Sequence, residues 1–258
     1  GAPLLPLIDD YLVTGGDGQR PWYVTPVVAA GDLAKFLEQE QPHLDPTRAL
    51  TLFRSVSGAV AEVHSHGVAH RDLKPANILM APARVLLADF GLCLPFFDAT
   101  GVALTEELER IGSVHYTPPE AFSLPHPPAE EQLAYDAYAL GKILYQIVSG
   151  RVLPMFTHPH EKGYDITETS PGIVGREINR VLRSLLHQNP DVRRDALEDL
   201  PTLVDDLIAR SEAEATAKQT GSLNVDFSEA REALAKRVQR SGVAERESPF
   251  GREAVQLR

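Results

Sequence analysis

The sequence predicts an α+β domain that is mainly helical, with a small β-sheet at its N-terminal edge. Three observations carry that reading. Two β-rich runs joined by a glycine-rich turn open the chain, apolar stripes at helical spacing dominate from residue 29 onward, and short paired strands interrupt them once. The 258 residues are 43% hydrophobic and 24% charged, enough for one large core or two small ones. The formal net charge is -11, and Ser211 to Arg258 balance eight acids with eight bases, so the acidic excess falls in the first 210 residues. Such a surface argues against a nucleic-acid partner. Cys93 is the only cysteine, which excludes an intrachain disulfide and a multi-cysteine zinc site and fits a reducing, cytoplasmic setting. No apolar run approaches the ~18 residues that a membrane helix needs.

Residues 4–13 (LLPLIDDYLV) and 22–28 (WYVTPVV) read as two strands, with TGGDGQ as the hairpin turn whose glycines tolerate positive φ. A short helix follows over AAGDLAKFLEQE. A long helix opens at Asp45, whose carboxylate can cap it, with Pro46 at the first position. Ala49, Phe53, Val56, Val60 and Val63 form its apolar stripe, and Gly67 supplies the stop. Next, ILM and VLLADF are expected as strands around the turn APAR. Residues 92–134, punctuated by Pro and Gly, are expected as a long irregular stretch, and a loop of that length is usually functional. YDAYALGKILYQIVSG is apolar almost all round and is expected as a central helix. After it come an amphipathic helix (REINRVLRSLLHQ), a loop (NPDVRRD), a further helix (ALEDLPTLVDDLIARSEAEA) and a surface helix or linker (SEAREALAKRVQR).

The chemistry concentrates in VAHRDLKPANILM, residues 68–80. Asp72 and Asp89 lie 17 residues apart, each at the end of a short apolar run, with Asn77 five residues after the first. Phosphoryl transfer needs this kit: a base to orient a hydroxyl, hard oxygen ligands for magnesium, and a cation near the transferred group. Asp72 would steer the hydroxyl, Lys74 would balance charge on the γ-phosphate, and Asn77 with Asp89 would hold the metal. Taken singly, such an Asp is more often a helix cap and such an Asn a turn residue. Their joint spacing argues for the site.

HRDLKPANIL followed by Asp89-Phe90-Gly91 resembles the catalytic-loop and metal motifs of the eukaryotic-type (Hanks-type) serine/threonine protein kinases, in a bacterial-like form. The resemblance implies a protein-kinase-like fold with a remnant of the small lobe at residues 1–28, the large lobe at 29–210, and a charged helical tail or linker at 211–258. ATP, Mg2+ and a protein substrate are implied with it. GSVHYTPPE resembles the segment that ends a kinase activation loop, with Pro118 where the family usually has Ala; Glu120 would then pair with a buried Arg193. Asp136 resembles the residue that starts the central helix and holds the catalytic-loop backbone, and Tyr138 replaces the usual Trp. WYVTPVVAAGDL looks like the last small-lobe strand, the hinge and the next helix. Thr25 would be the gatekeeper, Pro26 would offer its carbonyl and Val28 its carbonyl and N–H to adenine, Asp32 would reach a ribose hydroxyl, and Leu33 and Leu79 would press on the base. For these residues the bland alternative is core leucines and a loop Asp. His70 would pack below Phe90, Gly91 completes the metal loop, and Ser113 would bridge Asp72 and Lys74. Lys74 and Ser113 follow the serine/threonine pattern. Arg71 suggests control by activation-loop phosphorylation, with Thr100 and Thr105 as the candidates. His64 and His66 read as surface or core residues, His158 and His160 flank Pro159 in a loop with no specific role, and Cys93 reads as a small packing residue.

No Gly-rich turn over the phosphates, strand Lys or helix Glu is visible in these residues; GGDG at 15–18 reads as a turn, and Lys35 falls in the helix beyond it. The chain therefore reads as N-terminally truncated, with the first strand left as an exposed sheet edge. Without that grip the phosphates would be poorly aligned, so the 258 residues alone are expected to be nearly inactive. A pseudokinase scaffold and a small-molecule phosphotransferase of the same superfamily are the alternatives. The intact Asp72, Asn77 and Asp89 weigh against the first, and the DLKP and TPPE segments against the second.

Overall fold

In the computed structural model, which describes residues 9–11, 22–40, 44–90, 94–95, 114–122 and 129–222, the opening hairpin pairs β1 (Asp9–Tyr11) antiparallel with β2 (Trp22–Val24). Asp9 lies opposite Val24 and Tyr11 opposite Trp22. The second strand stops at Val24, short of the expected Val28. Pro26 accounts for this: it has no N–H to give a neighbouring strand, and it restricts the residue before it. The chain divides into two compact units, Gly1–Ala213 and Glu214–Arg258.

Helix α1 (Leu33–Gln39) starts at Asp32, whose carboxylate accepts the Lys35 N–H at 2.9 Å. Helix α2 (Pro46–Ser65) has the expected cap, with Asp45 accepting the N–H groups of Thr47 and Arg48, both at 3.1 Å. Its predicted stripe is buried: Ala49, Phe53, Val56, Val60 and Val63 all lie in the core. Gly67 ends the turn with φ 76°, where a side chain would be strained. Asp45→Ala is expected to cost about 0.5–2 kcal/mol by stranding those two N–H groups, read as a lower urea midpoint at unchanged m-value.

Two further short strand pairs follow. Strand β3 (Val68–Ala69) leads into the HRD segment and pairs with β6 (Leu94–Pro95). Between them, β4 (Ile78–Ala81) and β5 (Arg84–Leu87) form a tight antiparallel hairpin, Ile78 opposite Leu87, closed by Pro82 and Ala83.

Helix α3 (Ala129–Ser149) runs through the core, with Ala137, Leu140, Ile143, Leu144 and Ile147 buried around it. It begins at Ala129, earlier than the expected Tyr135, because AEEQLA is a run of strong helix formers placed directly after Pro127 and Pro128. As a result Asp136 lies inside the helix and not at its start. Gly141 allows the close packing of this helix, since a Cβ there would sit 2.8 Å from the Leu186 side chain. Helix α4 (Ile173–Leu185) buries Val174, Ile178, Val181, Leu182 and Leu185 on one face, as its amphipathic pattern predicts.

Helix α5 (Pro190–Ser222) contradicts the expected NPDVRRD loop. Asn189 accepts the Asp191 N–H at 2.8 Å and Pro190 takes the first position, so the segment is a capped helix start. Pro201 also sits inside this helix. Helix α5 is fastened to α2 by Thr47 with Ser211 (2.7 Å) and by Arg54 with Asp205 (2.6 Å).

Candidate active site

The segment from His70 to Asn77 is held chiefly by its backbone. Asp136, with no exposed surface, accepts the His70 N–H at 2.8 Å on Oδ2 and the Arg71 N–H at 2.7 Å on Oδ1. This double grip fixes Arg71 in the left-handed region, φ 67°, a conformation that needs surrounding contacts to persist. His64 completes the anchor, with Nε2 2.8 Å from Asp136 Oδ2. Sequence reasoning assigned His64 to core or surface and missed this contact. The signal was present, since His64 continues the Val56 and Val60 stripe at i+4 spacing, where an apolar residue is expected.

His70 is wholly buried. Its Nδ1 faces the Asp72 N–H at 3.4 Å and its Nε2 the Ala88 carbonyl at 3.0 Å, which assigns the neutral tautomer with hydrogen on Nε2. Its ring lies 4.6 Å from that of Phe90, the packing expected of the pair. The loop after β5 is thereby tied to the loop after β3.

On this frame the polar groups converge. Lys74 Nζ donates to Asp72 Oδ2 at 2.6 Å, and both side chains are nearly covered, 10% and 13% exposed. Asn77 donates from Nδ2 to the Asp72 carbonyl at 2.8 Å and to Asp72 Oδ2 at 3.1 Å. The carboxylate is therefore oriented by a cation and an amide, and the Asn77 amide directs its Oδ1 away from that contact. The Ala88 N–H donates to the Asn77 carbonyl at 3.0 Å. Asn77 and Asp89 thus stand together at the open end of the β4–β5 hairpin, with Asp89 in the left-handed region at φ 59°. No cluster of three or more His, Cys, Asp or Glu able to hold a metal occurs among the described residues. The available donor set, one carboxylate and one amide oxygen, fits a hard divalent ion that keeps water and phosphate oxygens as its other ligands.

The hinge-side residues are also assembled. Asp32 forms an antiparallel bridge with Leu79, and the Met80 N–H donates to the Gly31 carbonyl at 2.9 Å, so this segment runs beside β4. Thr25 and Val28 are half-buried and Pro26 exposed. The Val28 carbonyl already accepts the Gly31 N–H at 3.1 Å. Asp32 spends one carboxylate oxygen on its helix cap, and the second lies 3.4 Å from the Lys35 ammonium. Leu33 is wholly buried among the core residues, which supports its core reading, whereas Leu79 keeps part of its surface.

The expected Glu120–Arg193 pair is formed. Arg193 is fully buried and donates to the Glu120 carboxylate and to the carbonyls of Ala134 (3.0 Å), His187 (2.7 Å) and Gln188 (3.4 Å). Its guanidinium lies 5.7 Å from the centre of the Tyr138 ring, and burial pushes the Tyr138 phenol up to about 12. Gly91, Cys93, Thr100, Thr105 and Ser113 fall outside the described residues.

A helical lobe that presents an oriented carboxylate, a lysine and an asparagine beside a second carboxylate on a hairpin has the architecture of a phosphoryl-transfer domain. Residues 11–213 match the family described as protein kinase domain, and the chain belongs to that family. It is 30% identical over 192 residues to the serine/threonine-protein kinase PkaA of Streptomyces coelicolor, covering 70% of this chain and 33% of that protein. It is 29% identical over 185 residues to serine/threonine-protein kinase PknB of Mycolicibacterium smegmatis, covering 69% and 29%. With serine/threonine-protein kinase PknE of Mycobacterium tuberculosis the identity is 36% over 120 residues, covering 46% and 20%. The chain thus spans about a third or less of the length of these relatives. Protein kinases as a family use ATP and Mg2+ and act on proteins. Among the described residues no helix is long and apolar enough to cross a membrane.

Proposed function

We propose that this chain carries the chemical half of a cytoplasmic serine/threonine protein kinase that moves the γ-phosphate of ATP to protein hydroxyls. The observation that carries the reading is the Lys74–Asp72–Asn77 arrangement, in which one carboxylate oxygen is held at 2.6 Å and 3.1 Å. Asp72 orients the acceptor hydroxyl and takes its proton, and Lys74 balances charge on the moving phosphoryl group. Asn77 and Asp89 would hold Mg2+, which when bound neutralises charge on the β- and γ-phosphates. Thr25, Pro26, Val28 and Leu79 line the adenine side, and Asp32 faces the ribose. Residues 1–28 belong to the small lobe, 29–210 form the large lobe, and 211–258 form a tail or linker. Arg71 receives an activation-loop phosphate on Thr100 or Thr105, and Ser113 closes the peptide side against Asp72 and Lys74.

The test is nucleotide binding with and without metal. A fluorescent ATP analogue is expected to bind in a Mg2+-dependent manner, and Asp89→Asn is expected to remove that dependence while leaving the melting temperature unchanged. Binding that ignores Mg2+ in the unsubstituted chain would favour a scaffold over an enzyme.

A further inference from the structure

Lys142 lies outside the site and takes no part in the chemistry above, yet it is a lysine with 1% of its surface exposed. It projects from α3, the helix that carries Asp136. Its Nζ donates to the Pro154 carbonyl at 2.8 Å and to the Leu153 carbonyl at 3.4 Å, and lies 5.3 Å from the centre of the Tyr138 ring. Among the described residues its hydrogen-bond acceptors are thus backbone oxygens of the segment that follows α3. Within that segment Phe156 has φ 61°, unfavourable for a bulky side chain, and its ring is 55% exposed. It meets the half-exposed Phe122 edge-on at a centroid distance of 6.1 Å, and Phe122 closes the short turn that holds Glu120. A strained backbone bearing an exposed aromatic persists only where neighbouring contacts over-determine it, and the lysine supplies two of them.

We propose that Lys142 is a proton-controlled clamp, whose ammonium sets the local path of residues 153–156 and so the position of the Phe122–Phe156 pair. The charged form donates three hydrogens, two to carbonyls and one toward the electron-rich ring face. Deprotonation removes one donor and all of the charge-assisted strength. Leu153, itself buried, keeps the segment attached, so the change is a local shift and not a release.

Burial lowers the Lys142 amine from 10.5 to about 8, against an opposing pull from Glu161. The other titratable or charged groups facing it are Tyr138 one turn back on α3 and, across that ring, Arg193 of α5 with its partner Glu120. On the loop side Glu161 accepts the backbone N–H of His158 at 2.7 Å. The folded lysine binds fewer protons than the unfolded one between about 8 and 10.5, so its contribution to stability rises with pH across that window. Local loosening is therefore expected without global unfolding.

The chain has two methionines, Met80 on β4 and Met155 beside Pro154, which makes the test direct. In the full chain labelled with 13C-methyl methionine, the Met155 signal is expected to titrate with a midpoint near 8 while Met80 stays in place. Lys142→Arg, which stays charged, is expected to hold Met155 at its low-pH position throughout. Lys142→Leu is expected to give a displaced, pH-independent signal. A motionless Met155 between pH 6.5 and 9.5 overturns the clamp, as does the same titration in Lys142→Arg. A titration that survives in both variants assigns the shift to another group and overturns it too. Joint movement of both methionines signals opening of the whole lobe and has the same consequence.

Discussion

Phosphoryl transfer to a serine or threonine peptide is expected to fall about 10²–10⁴-fold in Asp72→Asn, the range seen when a positioned acid–base group is removed. Asn fills nearly the same volume, so the fold should be preserved. The loop's path does not depend on that side chain, because Asp136 grips the His70 and Arg71 amides at 2.8 and 2.7 Å. What changes is the charge beside Lys74, whose ammonium lies 2.6 Å from the replaced carboxylate, and the ability to accept a proton. Transfer from γ-labelled ATP is compared between the two proteins over long incubations, with melting temperatures recorded in parallel. A ratio remains readable even at a low absolute rate. Equal transfer by both proteins would remove Asp72 from the reaction.

Glu120→Leu is expected to destabilise the chain by about 3–5 kcal/mol, because it strands a guanidinium charge that has no route to water. Arg193 is fully buried, whereas the Glu120 side chain keeps 27% of its surface exposed. The penalty therefore falls on the arginine's side of the pair. Glu120→Gln keeps an oxygen acceptor and is expected to cost less, roughly 1–3 kcal/mol, the range for a buried group that loses a partner. Urea unfolding of the three proteins measures the difference. Equal losses in both variants would mean that shape and not charge sets the stability at this turn.

Local chemistry made much of this architecture legible in advance. Asp45 with Pro46, the stripe from Ala49 to Val63 and the stop at Gly67 state a helix in three independent ways, and the structure agrees. The Glu120–Arg193 pair and the packing of His70 on Phe90 came from motif resemblance, because neither partner is near the other along the chain. The errors lie at element ends. Ala129 and Pro190 open helices where irregular chain was expected, although Pro127, Pro128 and Asn189 were available as start signals. Long-range polar contacts were the least visible. His64 reaches Asp136 across 72 positions, and Lys142 finds its acceptors only because α3 turns back on the segment that follows it. Periodicity records which face is buried, and it is silent about which carbonyl waits there.

The Asp136 carboxylate has a consequence for how such a lobe changes over generations. Because it binds the main-chain amides of residues 70 and 71, which every residue except proline owns, the side chains at positions 71 and 72 can be exchanged without dismantling that support. Chemistry and shape are thus inherited separately: one point change can silence the reaction and still leave a surface that other molecules recognise.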